Sequence, residues 1–521
     1  MTRRLSGIAF WILLALLIVA NAIVMWHSLT VLRFWEDEAF NLTVPRNLLA
    51  GLGYASDGTL SGSTLTPFDP RISTGPVVLL PVAGVLVLGV DPVIGARLVP
   101  LAYWVLLLAG LGVLGRRLVG RFGALVAVVL PLAFNTADSV SPIQGPADLL
   151  GEIAAAALVV WALIVLPRRA WLAGLLLGLA VQAKLIALLA LPAFAVALFL
   201  LTPAAPFWRR LGATLRRAIV PLVFVAAPTV LMELVALVSL GLTGYAGHVR
   251  ALGGFLLSGG QHIEPTTVPQ KLGTLAGSWF VPWWLVAIAV LLAAAAVLWA
   301  ALPGRRAPAE DGTRALSPDA DPQRADALAE SRRPRWWERD PQLLAIGFGS
   351  AVGLLAFVGW WAQAAQLPLW VRHPAVGVFA FAPILAAITV RAVVALWRRR
   401  GASNARGLMR VTAVAAAVAL AVVLSGGALG DTVRATRAPA ETLAQQRAAV
   451  APLAEWARDN DVEWLAAKPW GGPVSSVVLT GAHLGLFDAP AMRHTPTLGY
   501  GTCETGSPLA AANGIVICPA P

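Results

Sequence analysis

Three consecutive carboxylates, Glu36, Asp37 and Glu38, stand in the stretch RFWEDEAFNL, framed by Trp35 and Phe40. Adjacent carboxylates repel, so at least one is a weaker acid than usual unless a cation compensates. Such a group suits a general base or a metal ligand; a solvated acidic turn is the plainer alternative. Isolated cations recur along the chain: Arg97 in IGARLVP, Lys184 in VQAKLIAL and Arg372 in LWVRHPAV. A cation at membrane depth is costly unless it meets an anion or water. Snorkelling to lipid head groups would satisfy each of them singly. Together they could grip a lipid-linked phosphate through charge-assisted hydrogen bonds, while a carboxylate deprotonates an attacking hydroxyl. That pattern suits transfer of a group from a lipid phosphate.

Further polar residues accompany them. Asp148 and Glu152, in PADLLGEI, open an apolar run, and an acid at a helix N-terminus is stabilising without any other role. Glu233, in LMELVAL, lies inside an apolar run, where an acid is expected to be paired or functional. The segment 241–278 adds His248, Arg250, His262, Glu264 and Lys271, too dispersed to define a metal motif. No GxxxxGK[ST] loop is present and no strand–helix alternation would house a dinucleotide, which argues against a nucleotide-linked donor.

The elements that must position these residues are membrane helices. The 521 residues are 58% hydrophobic and 13% charged, with mean hydropathy +0.75, and apolar runs long enough to cross a bilayer recur throughout. Counting the first run, LSGIAFWILLALLIVANAIVMW, spans are expected there and at 96–114, 122–137, 151–166, 171–183, 185–201, 218–240, 279–302, 342–361, 374–396 and 409–427, about eleven in all. Arg3 and Arg4 precede the first run and no small-residue cleavage site follows it, so it reads as a retained span. The stretch 74–90, with two prolines, reads as a juxtamembrane or re-entrant helix. With that choice, GRRLVGR, PRR, FWRRLGATLRR and WRRRGASNARG all fall inside and contain no acid, as the positive-inside rule requires. The net charge of +12 is thereby assigned to the cytoplasmic membrane face, and nucleic acid is not an expected partner.

The chain divides into a transmembrane domain, 1–430, and an extracytoplasmic C-terminal domain, 431–521. The first external loop with its juxtamembrane helices covers 30–95; a loop of that length usually has a function. The segment 303–340, rich in Pro, Asp, Ala and Arg, reads as a flexible cytoplasmic tether. In the tail, PAETLAQQRAAVAPLAEWARDN has helical periodicity, while VSSVVLTG and GIVIC read as strands, giving a small α/β unit. Cys503 and Cys518 both fall there, on the oxidising side; a disulfide and a pair of unbridged thiols both remain open. No internal repeat of the inverted-transporter kind is visible.

In order along the chain, EDEAF, STGPVVLLP, GARL, PADLLGEIAAA, WLAGLLLGLAVQAKLIALLALP and WVRHPAVGVFAFAPIL resemble the motifs of the GT-C superfamily of membrane glycosyltransferases. The likeness is to the branch of protein O-mannosyltransferases and aminoarabinose transferases, over roughly residues 1–400. It implies an all-α polytopic GT-C fold, with Asp37 as catalytic base and Glu38 beside it, assisting or holding a divalent metal ion. It places Asp148 at the opening of the fourth span and assigns Lys184 and Arg372, with Arg97 or Arg250 assisting, to the donor phosphate. His373 replaces the family's usual tyrosine, and STGP departs from its PPL element, which bears on the acceptor.

The resulting expectation is a cell-membrane glycosyltransferase, N-terminus cytoplasmic, moving a sugar from a polyprenyl-phosphate donor to an extracytoplasmic glycan, protein or lipid. A flippase, transporter or non-catalytic binder of lipid-linked sugars is the alternative.

Overall fold

The computed structural model describes residues 2–58, 64–137, 141–203, 206–258, 264–301, 340–398, 404–486, 490–504 and 506–520. The expected tether 303–340 lies outside these, apart from Asp340, as does His262.

The first apolar run forms α1 (Thr2–Thr30). It leads into α2 (Glu36–Leu49), whose first turn holds the three acids, where the helix dipole favours negative charge. A two-stranded ribbon, β1 (Ala55–Ser56) with β2 (Thr66–Pro67), precedes α3 (Pro76–Leu86). At 11 residues α3 is about 17 Å long, too short to cross a bilayer alone. Helix α4 (Pro92–Val119) is started by Asp91, which accepts from the Ile94 N–H at 2.9 Å, and stopped at Gly120, whose φ of +100° a side chain would resist. The chain turns back as α5 (Arg121–Val129) and a 3-10 turn, Leu130–Ala133.

Three short apolar helices follow: α6 (Glu152–Val165), α7 (Ala170–Ala183) and, after a 3-10 turn at Leu185–Ala190, α8 (Leu191–Leu201). Helix α9 (Phe207–Ser258) is broken at Gly241, φ +67°. Then come α10 (Val268–Gly277), α11 (Trp283–Ala301), α12 (Pro341–Gln363), α13 (Arg372–Arg398) and α14 (Asn404–Thr436). Among the described residues seven helices (α1, α4, α9, α11, α12, α13 and α14) are long and apolar enough to cross a membrane. The expected spans 122–137, 151–166, 171–183 and 185–201 correspond to shorter apolar helices, Arg121–Ala133, Gly151–Val165, Ala170–Ala183 and Leu185–Leu201.

The tail carries α15 (Leu443–Asp459), α16 (Gly472–Thr480) and a five-stranded sheet of order β4-β3-β5-β7-β6. Its strands are β3 (Trp464–Ala467), β4 (His483–Leu486), β5 (Thr497–Tyr500), β6 (Ala510–Ala512) and β7 (Ile515–Cys518). β3 is parallel to both β4 and β5, whereas β7 is antiparallel to β5 and β6. Cys503 and Cys518 are joined as a disulfide.

VSSVVLTG, expected as a strand, is helical. Pro473 in the first turn pre-sets φ for a helix and Gly481, φ +95°, closes it. Burial of Val474, Val477 and Val478 between α2 and the sheet outweighs the β preference of valine.

The tail unit does not hang free. The Gln446 amide exchanges two hydrogen bonds with the Phe34 backbone, at 2.9 and 2.8 Å, and Leu443 N–H donates to the Val31 carbonyl at 3.0 Å. Arg46 donates to the carbonyls of Val478 and Gly481. Asp57 accepts from the Leu484 N–H at 2.6 Å and lies 3.1 Å from His483 Nδ1. One apolar core runs from the bundle through Trp35 and Leu42 into Val474, Val477 and Leu465.

Candidate active site

At the bundle end facing the tail unit, two ion pairs lie side by side. Asp37, in the first turn of α2, pairs through Oδ2 with the Arg372 guanidinium at the start of α13. Arg372 is also stacked on Trp370, 4.5 Å from the ring centroid. Lys184 Nζ lies 2.9 Å from Glu152 Oε1 and donates to Ser73 Oγ at 2.8 Å. The two pairs share one electrostatic neighbourhood, since Lys184 feels Arg372 and Asp37, and Arg372 feels Glu152 and Glu36.

Two glycines allow this convergence. A Cβ on Gly75 would sit 1.9 Å from the Gln182 carbonyl oxygen, and one on Gly151 would sit 2.1 Å from that of Ala183. Both segments therefore touch the last turn of α7 backbone to backbone, and Gly75 N–H donates to the Ala183 carbonyl at 3.1 Å. That contact delivers Ser73 and Glu152 to Lys184, which caps α7 in an extended conformation. Asn41, one turn along α2 from Asp37, ties the same parts together by donating to Thr74 Oγ1 at 3.0 Å and to the Leu149 carbonyl at 2.7 Å.

Glu38 and Arg97 form a third pair beneath, with both side chains fully buried. Arg97 donates twice to Glu38, at 3.0 and 2.7 Å, and also to the carbonyls of Leu29, Leu32 and Arg33. Every side of its guanidinium is thus engaged within the protein. Asp148 is buried next to this pair; burial first and Glu38 second push its carboxyl well above the usual carboxylate range, with Arg97 opposing. Its Oδ1, the Glu152 Oε2 and the His373 Nδ1 atom are buried without a hydrogen-bond partner.

The remaining candidates lie elsewhere. Glu233 is met across the Gly241 break by Tyr245, which donates at 3.1 Å, and by His248 at 3.5 Å. Twelve residues of straight helix would separate Glu233 and Tyr245 by about 18 Å, so the break folds α9 back on itself. Arg250 is exposed on that returning arm. Glu36 pairs with Arg33 at 3.3 Å. Lys271 is buried and donates to the Trp361 and Ala364 carbonyls at the end of α12.

Among the described residues no three His, Cys, Asp or Glu side chains gather as a metal set, and both oxygens of Glu38 are engaged by Arg97.

Below the polar cluster, helices α7, α8, α9, α11, α12, α13 and α14 enclose a cavity of about 1670 Å3 lined almost wholly by apolar side chains, among them Leu177, Phe194, Val225, Leu354 and Val378. The helices that carry Lys184 and Arg372 at their ends, α7 and α13, thus wall the cavity further down.

Sequence reasoning missed Ser73 and Asn41. Ser73 was quoted only within STGP; its proximity to Lys184 comes from the glycine contact, which no local pattern announces.

No protein-family model matches the chain, and no curated protein matches it by sequence. Two solved structures resemble it along nearly its whole length, both of ArnT from Cupriavidus metallidurans. In the apo state the TM-score is 0.59 at 14% identity, covering 98% of each chain. In the structure bound to undecaprenyl phosphate it is 0.56 at 13% identity, covering 97% of each. The chain shares its fold, a GT-C fold, with ArnT.

Proposed function

We propose that this protein transfers a sugar from a polyprenyl-phosphate donor to a hydroxyl-bearing acceptor at the membrane face that carries the tail unit. The observation that carries the reading is the juxtaposition of Asp37–Arg372 and Lys184–Glu152 at the ends of helices walling a large apolar cavity. A polyprenyl chain suits the cavity, and a phosphate suits the cations. The ArnT relative bound to undecaprenyl phosphate supports a lipid-phosphate ligand.

Asp37, 20% exposed, is reachable by an acceptor, whereas Glu38 is sealed. The acceptor hydroxyl gives its proton to Asp37 as its oxygen bonds to the sugar's anomeric carbon. The bond from that carbon to the phosphate oxygen breaks, and the electron pair stays on the polyprenyl phosphate. Arg372 and Lys184 stabilise that growing charge, where preoriented cations in a partly dry site contribute most to the rate. A phosphate that draws Arg372 toward itself also loosens its hold on Asp37, so donor binding frees the base. Glu38 and Arg97 hold the start of α2 in place and do not act as the base. The positive-inside pattern of the loops supports an extracytoplasmic tail.

The test is transfer from radiolabelled polyprenyl-phosphate sugars by purified protein in nanodiscs, wild type against Asp37→Asn. Transfer is expected to fall by roughly 10^2- to 10^4-fold with donor binding retained. Unchanged transfer in Asp37→Asn would remove the base; no transfer by wild type, with lipid-sugar movement across the bilayer unaffected by Asp37→Asn, would favour a flippase.

A further inference from the structure

The tail unit contains a crevice of its own, formed where strand order reverses. β3 lies between two parallel neighbours, β4 and β5. The chain leaves β3 through α16 to reach β4 on one side, then crosses to the other side to form β5. In open parallel sheets, ligands bind outside the carboxyl ends of the strands at such a reversal. Here those ends carry Lys468, Pro469, Trp470, Gly471 and Gly472 after β3, and Tyr500 at the end of β5.

Two large aromatic rings are displayed at this edge. Trp470 is 45% exposed and Tyr500 55% exposed. A Cβ on Gly472, two residues beyond Trp470, would lie 2.2 Å from the Tyr500 hydroxyl, so the Tyr500 ring lies against the turn that carries Trp470 and only glycine admits it there. Lys468 and Glu504 pair at 2.8 Å beside them, both reaching solvent, and the Cys503–Cys518 disulfide anchors the segment that carries Glu504. The crevice also faces the candidate active site. Trp470 packs edge-on against Phe40 of α2, ring centroids 5.8 Å apart, and Phe40 lies three residues from Asp37 on the same helix face. Neighbours at that spacing have Cβ atoms about 5–6 Å apart, so Trp470 meets α2 within one turn of Asp37.

The geometry points to a saccharide subsite in this crevice. Trp470 and Tyr500 would stack on the apolar faces of sugar rings, and Lys468 and Glu504 would hydrogen-bond hydroxyls. The occupant is the carbohydrate part of the acceptor, with the hydroxyl to be glycosylated directed at Asp37. This rests on the glycosyl-transfer reading and narrows it, since it selects a glycan-bearing acceptor over an unglycosylated peptide.

The experiment is saturation-transfer-difference NMR on the full chain in nanodiscs, with soluble oligosaccharides released from bacterial cell-envelope polysaccharide as the probe. Wild type, Trp470→Ala, Trp470→Phe, Tyr500→Ala and Asp37→Asn are compared, and undecaprenyl phosphate binding is measured on each. Saturation is expected on sugar C–H protons with wild type, Trp470→Phe and Asp37→Asn, and affinity roughly three- to tenfold weaker with each alanine variant. Undecaprenyl phosphate binding should be retained in all and equal to wild type in the Trp470 and Tyr500 variants, showing intact folding. The proposal is overturned if no envelope oligosaccharide binds wild type, or if the alanine variants bind as wild type does. Sugar binding lost with Trp470→Ala but no Asp37-dependent transfer would refute the glycosyl-transfer reading and leave the subsite standing. Transfer without any saccharide binding would do the reverse.

Discussion

Asp37 and Arg372 stand 335 positions apart in the chain and meet as an ion pair at the junction of α2 and α13. In the proposed mechanism the pair joins the base to a phosphate-binding cation, so each would control when the other is available. Arg372 lies over the Trp370 ring and offers a planar fork that an ammonium cannot reproduce. Arg372→Lys should keep the charge and still lower transfer by one to two orders of magnitude, on the order of 1.5–3 kcal/mol for one lost charge-assisted hydrogen bond. Initial rates at saturating donor measure it; wild-type rates would rule out a role for the fork.

Lys184 and Glu152 form a buried pair, and removing one partner leaves the other charge without compensation. Lys184→Met should cost about 3–5 kcal/mol of stability and weaken undecaprenyl phosphate binding. The double variant Lys184→Met/Glu152→Gln should recover most of the stability but not the binding. Thermal unfolding in detergent together with lipid-phosphate titration separates the two effects.

Arg97 has its donors spent on Glu38 and three carbonyls, which makes it a clamp on the α1–α2 turn. Arg97→Lys cannot reproduce those contacts and should destabilise the protein by about 3 kcal/mol or more. The loss should appear first as faster hydrogen exchange of the Leu32 to Phe34 amides; unaltered exchange there would contradict the clamp.

Docking of the tail unit should depend on pH through His483. Its pKa is raised above the ordinary 6.5, chiefly by the hydrogen bond to Asp57, with Glu463 adding and burial and Arg46 opposing. A raised folded-state value means the contribution is full below about pH 6.5 and fades as pH climbs through the folded value. Hydrogen exchange at the Leu484 amide, which donates to the same carboxylate, should therefore quicken with pH beyond the intrinsic trend. His483→Gln should flatten that excess; an identical excess in the variant would acquit the imidazole.

Much of this site is legible in the chain because charges in apolar surroundings are conspicuous. Asp37, Lys184 and Arg372 stand out singly, and the cost of an unpaired charge makes their meeting a physical expectation. Glu152 was visible as a helix-start acid, but its partner was not, since pairing depends on Gly75 and Gly151 letting three backbones touch. Arg97 looked like the other cations in sequence; only the carbonyls around it show a different employment. In the tail, the valines of 474–478 carry a strand preference that burial overrides, and the neighbourhood of Trp470 and Phe40 depends on that helix lying against α2.

The brevity of α6 and α7 has a consequence for where reactants would meet. Each has 14 residues, about 21 Å of helix against the roughly 30 Å of a hydrocarbon layer. With one end level with the far boundary, the tips bearing Glu152 and Lys184 stop roughly 9 Å short of the near one. Under the proposed function the site would be a well sunk into the leaflet, to which a phosphate would be drawn down from the head-group plane and an acceptor would have to dip.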